Sequence, residues 1–141
     1  MKPFRNKKHY HYFRNSHINF LELIMKHPRV NLAFCSSIRR DNIMPILEKM
    51  FIESKKSDLF EDHMFALFDQ QFQKPSPEIT GEKWGMIRDL DKIWSSDQIK
   101  NHSHSFGPKN TLLLESDEVS VFECFQNSLI FDKYDRGDVW P

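Results

Sequence analysis

The apolar positions of the first half recur at helical spacing. In SHINFLELIMKH, residues 16–27, Ile18, Leu21, Ile24 and Met25 share one face. Ser16 stands where an N-cap belongs, and Pro28 lies just past the end. The mostly apolar VNLAFC, residues 30–35, predicts a short buried strand closed by Ser36 and Ser37. A second helix is predicted over 39–54, with Ile43, Ile46, Leu47, Met50 and Phe51 turned inward. Asp41 can cap it, and Pro45 falls in its first turn, where a missing N–H costs little. Residues 55–58 form a polar break.

The second half is less regular. Residues 61–72 suit a helix or, from Phe65, a strand. Pro, Ser and Gly make residues 74–82 a loop. A helix is predicted over 83–94, with Trp84, Ile87, Leu90 (or Asp91) and Trp94 inward and Gly85 weakening it. Residues 95–110 read as a long polar loop. TLLLE, residues 111–115, predicts a buried strand, and NSLIF, residues 127–131, a further short one. This order predicts an α/β sheet covered by helices. Ligands of such sheets sit beyond the carboxyl ends of the strands, which singles out Ser36 and Ser37 after the first strand and Glu115, Ser116 and Asp117 after TLLL.

Composition narrows the partners. A chain of 141 residues suits one domain with a hydrophobic core, and 13 phenylalanines make that core aromatic. Lys plus Arg and Asp plus Glu each total 20, so no global attraction to nucleic acid is expected. The start is basic, with Lys2, Arg5, Lys7, Lys8 and Arg14 and no acid among them. It reads first as a solvated terminus and second as a phosphate-facing patch. No apolar run is long enough to span a membrane, and no apolar stretch follows the basic start as a secretory signal requires. Cys35 and Cys124 form neither a disulfide framework nor a zinc spacing, which points to a reducing intracellular compartment.

Each candidate residue has a plain reading and a chemical one. Ser36 and Ser37 are ordinary turn residues, or hydroxyls that bind phosphate at a helix start. Glu115 and Asp117 are a solvated turn, or oxygen ligands for Mg²⁺. Arg39, Arg40 and Arg88 are solvated charges, or phosphate partners. His9, His11 and His17, and separately His102 and His104, lack any structural zinc pattern, and Cys35 lacks an evident histidine to activate it. The common phosphate loops, nucleophile elbows and zinc-protease motifs are absent.

Three separated segments together carry a resemblance. YFRNSHINFLELIMKHPRVNLAFCSSIRRDNIMPIL, WGMIRDLDKIW and NTLLLESDEVSVFECFQNSLIF resemble, in this order, segments of the polymerase C-terminal-domain phosphatase homology domain. That domain is the NLI-interacting-factor-like branch of the haloacid dehalogenase superfamily. Arg14, Phe20, Leu21, Ser36, Ser37, Asn42 and Asn127 fall in step with its pattern. The resemblance implies a Rossmann-like, mostly parallel sheet with flanking helices over residues 12–134. Residues 1–11 then form a basic N-terminal segment, and residues 135–141 a tail. Family activity would be Mg²⁺-dependent phosphoprotein phosphatase chemistry through a phospho-aspartate.

The catalytic pattern carries over poorly. The family's DxDx[TV] motif, which supplies nucleophile and general acid on the central strand, has no counterpart in the sequence. Its phosphate-binding hydroxyl falls on Ser36, or on Ser37 if the register slips by one. Its lysine falls on Arg88, and its paired metal-binding acids on Glu115 and Ser116, with Asp117 next in line. Arg keeps the charge but not the compact ammonium, and Ser supplies no second negative charge. Without a nucleophile the covalent route is closed. Without the central strand, VNLAFC and TLLLE must pair directly, recruit other strands or leave backbone groups unpaired. The resemblance therefore implies an impaired phosphatase-like domain with weak or absent Mg²⁺ binding. Its residual role would be to bind a phosphorylated protein or peptide, or a protein partner, through Ser36, Arg88 and the neighbouring basic residues. The alternative is an active serine/threonine phosphatase represented by a chain missing its N-terminal motif. Nuclear or cytoplasmic placement is expected ahead of secretion, with mitochondria also open to the family.

Overall fold

In the computed structural model, which describes residues 4–6, 9–11, 13, 16–76 and 85–133, the chain forms helices and three-residue strands. The chain folds as two units, one reaching Asp69 and the other starting at Gln70. The architecture is mixed α/β. Among the described residues there are, instead of one sheet, four two-stranded ones, two of them parallel.

The first unit opens with an antiparallel pair, β1 (Phe4–Asn6) and β2 (His9–His11), where the sequence reads as a solvated terminus. Helix α1 (His17–Met25) lies close to its expected span, with Met25 buried and Ile18 and Leu21 packed against the core. Ser16 does not cap through its side chain. It takes a left-handed conformation (φ 58°), and its carbonyl accepts from the Phe20 N–H at 3.1 Å. At Glu22, hydrogen bonds from Lys26 and then Lys56 hold the carboxyl below the usual carboxylate range.

Strand β3 (Ala33–Cys35) runs parallel to β4 (Ala66–Phe68), joined through α2 (Arg40–Glu53) and α3 (Ser57–His63). The ambiguous segment at 61–72 thus splits into the end of a helix and a strand. It is β4 that is buried along its whole length, whereas β3, expected to be buried, is half-buried. Asp41 lies in the first turn of α2 without capping it. Ile46, Leu47, Met50 and Phe51 turn inward as the spacing predicts, and Phe51, wholly buried, packs 5.1 Å from the Phe60 ring. The polar break expected at 55–58 is a Schellman turn at Lys55 and Lys56, with Ser57 and Asp58 already in α3. The Lys56 N–H donates to the Phe51 carbonyl at 2.8 Å, and the Lys55 N–H to Ile52 at 3.0 Å. Lys55 therefore holds the left-handed position (φ 57°) usually given to glycine.

In the second unit a 3₁₀ turn (Gln70–Phe72) leads into β5 (Gln73–Pro75), antiparallel to β6 (Met86–Arg88). The helix expected over 83–94 is shorter. Met86–Arg88 is a strand, Asp89 caps by accepting from the Lys92 N–H at 3.1 Å, and only α4 (Leu90–Trp94) is helical. Leu90, not Asp91, faces inward with Ile93. Trp94 is half-buried and donates from Nε1 to Thr111 Oγ1 at 3.0 Å. Trp84 lies outside the described residues. The expected loop at 95–110 contains α5 (Asp97–Lys100), whose Ile99 is buried.

Strands β7 (Leu113–Glu115) and β8 (Ser128–Ile130) pair in parallel, Leu114 opposite Leu129. Asn127 fixes their entry by donating to the carbonyls of Pro108 (2.7 Å) and Thr111 (2.9 Å). The expectation of a buried strand fails here. Leu112 is 63% exposed, Leu114 38%, Leu129 48% and Phe131 44%. The opposite face carries Leu113, Glu115, Ser128 and Ile130, all half-buried.

Candidate functional site

In the first unit, β3 ends at Ser36, whose N–H continues the ladder to the Phe68 carbonyl at 2.8 Å. The Ser36 hydroxyl accepts from the Ile38 N–H at 3.2 Å, a short side-chain turn, while Ser37 is exposed. Helix α2 starts four residues after Ser36. That helix start already has an anion. Asp69, following β4, accepts the Arg40 N–H on Oδ2 at 3.0 Å. Sequence reasoning passed over Asp69, although ALFD has the same form as TLLLE, an apolar run ending in an acid. The Arg39 guanidinium meets Asp41 at the surface, at 3.4 Å.

The second unit holds Arg88, Glu115 and Asp117. Arg88, closing β6, is 91% buried by its 9% side-chain exposure, and Glu115, closing β7, is 15% exposed. Glu115 Oε2 accepts from Arg88 Nε at 3.1 Å and Nη2 at 2.8 Å, and Oε1 accepts from the Ser116 N–H at 2.9 Å. The remaining nitrogen, Nη1, is buried with no hydrogen-bond partner among the described residues. Asp117 accepts from the Val119 N–H at 3.2 Å and from the Ser120 hydroxyl on its carbonyl at 2.8 Å, so it organises the turn after β7.

This donor set does not fit Mg²⁺. Both oxygens of Glu115 are engaged, and a divalent cation on that carboxylate would lie beside a guanidinium in a poorly screened setting. Ser116 is neutral, and one oxygen of Asp117 is held in its turn. Among the described residues no three His, Cys, Asp or Glu side chains gather as a metal cluster. The His102 ring instead packs at a tilt, its centroid 5.4 Å from that of His104 and 5.2 Å from that of Phe106.

Arg88 also lines a shallow cleft of about 200 Å³ with Lys74, Asp91, Trp94, Glu123 and Cys124. Lys74 pairs with Glu123, whose hydrogen bond raises the lysine above its ordinary value. Burial pushes the Cys124 thiol up, against the smaller pull of Ser128 and of the Arg88 and Lys74 charges. A neutral thiol is a poor nucleophile.

No protein-family model, curated protein or solved structure matches the chain. Among the described residues no helix is long and apolar enough to cross a membrane.

Proposed function

We propose that the chain is a divergent haloacid-dehalogenase-like phosphatase-homology domain that has lost phosphoryl-transfer chemistry and acts by binding a protein partner. The three sequence segments support the family, and the short parallel strand pairs are compatible with such a fold. The observation that carries the loss of catalysis is the Arg88–Glu115 pair. The residue at the lysine position and the residue at the acid position neutralise each other, which leaves little charge for phosphate or for a cation. The Asp69 carboxylate does the same at the start of α2. Phosphoryl transfer needs a positioned nucleophile and neutralisation of the developing charge, and neither is supplied by these residues.

The reading is tested with p-nitrophenyl phosphate and excess magnesium, alongside a phosphoserine peptide and its unphosphorylated twin. No magnesium-dependent turnover is expected, and the phosphate should add little to peptide affinity. Clear turnover by this chain that disappears in Glu115→Gln would overturn it.

A further inference from the structure

The β7–β8 pair half-buries a mixed face, Leu113, Glu115, Ser128 and Ile130, and presents a wholly apolar one to solvent. Leu114 and Leu129 are register partners, and the two-residue alternation of strands puts Leu112 and Phe131 on their face. Parallel strands are ordinarily covered on both faces, most often by helices. We propose that this face is the docking site for one amphipathic helical segment of another protein, carrying basic residues at one end.

Size favours a single helix over a second copy of the chain. The face is two strands wide and about 10 Å long, close to the width of one helix. Four side chains of at most about 250 Å² each, roughly half exposed, offer on the order of 400 Å². That is the scale of a recognition patch and falls short of the ~800 Å² per partner that a stable dimer buries. A helix with leucine-sized side chains at i, i+3, i+4 and i+7 fits it.

Charge sets the direction. Because the strands are parallel, their carboxyl ends lie together. Asp117 and Glu118 follow β7 there, and Asp132 and Lys133 follow β8, giving three acids against one lysine. The opposite end is entered through Lys109 on one strand and through the uncharged Phe125, Gln126 and Asn127 on the other. A helix with Lys or Arg at one end is steered to lay that end over the acids. The inference rests on Leu112, Leu114, Leu129 and Phe131 and on Glu118 and Asp132, none of which the catalytic reading uses, so it stands if magnesium-dependent turnover is found.

The test uses the whole chain and a labelled synthetic peptide with leucines at helical spacing and lysines at one end, followed by fluorescence anisotropy. Leu114→Lys with Leu129→Lys should weaken binding by about tenfold or more. Leu23→Lys, at a still more exposed leucine of α1, should leave it unchanged. Glu118→Lys with Asp132→Lys, which alters no apolar contact, should weaken the lysine-ended peptide and favour a glutamate-ended one, and it decides the matter if the leucine variant fails to fold. Unchanged binding in the charge-reversal variant, equal loss in Leu23→Lys, or a dimer in solution that Leu114→Lys dissociates would each overturn the proposal.

Discussion

The two parallel strand pairs are the same size and end differently. β3–β4 contributes the fully buried Ala66, Leu67 and Phe68, whereas β7–β8 leaves four large apolar side chains in solvent and half-buries an acid. The difference lies in what joins the strands. Residues 36–65 hold two helices, α2 and α3, whose Leu47, Met50, Phe51 and Leu59 cluster with Leu67 of β4. Residues 116–127 hold only two 3₁₀ turns, Val119–Val121 and Phe125–Asn127. A parallel pair needs a connection of about a dozen residues or more to return, and a helix within that connection is what usually covers the pair. The first connection does both; the second only returns.

Truncations in the two pairs should therefore separate widely. Phe51→Ala removes a wholly buried ring from the first core and should cost about 3–5 kcal/mol, whereas Leu114→Ala should cost less than about 1 kcal/mol. Urea denaturation followed by circular dichroism measures both, and equal losses would dissolve the contrast. A smaller effect sharpens it from the connection side. Lys55→Gly relieves a left-handed non-glycine residue at the end of α2 and should stabilise the chain by roughly 0.5–1 kcal/mol in the same experiment.

The sequence makes some of this contrast legible and hides the rest for identifiable reasons. Helices α1 and α2 follow from apolar spacing, because their burial is one-sided and the period shows it. Strand β4 is ambiguous because Phe65–Phe68 is an unbroken apolar run, which fits a buried helix turn or a doubly buried strand equally. Ile87, Leu90 and Trp94 mimic a helical stripe across a strand and a helix, and only the pairing of β6 with β5 and the Asp89 cap divide them. At TLLL the inference from apolar to buried fails, since nothing local tells a strand whether its connection will cover it.

The candidate site shows the same limit. Ser36, Arg88, Glu115 and Asp117 could be named as positions from the sequence, but not their pairings. Arg88 and Glu115 are 27 residues apart and meet only because β6 and β7 end near one another in the second unit. Asp69 reaches across 29 residues to the start of α2, and no spacing rule announces it.

The central claim is that Glu115 serves as the counter-ion of Arg88 and not as a metal ligand. Thermal unfolding of the chain and of Glu115→Gln, each with and without saturating magnesium, tests it most directly, because a cation bound only by the folded state must raise Tm. The account predicts a lower Tm for Glu115→Gln, whose loss strands a buried guanidinium, and no magnesium response in either protein. A magnesium-dependent rise in the natural chain that vanishes in Glu115→Gln would contradict it.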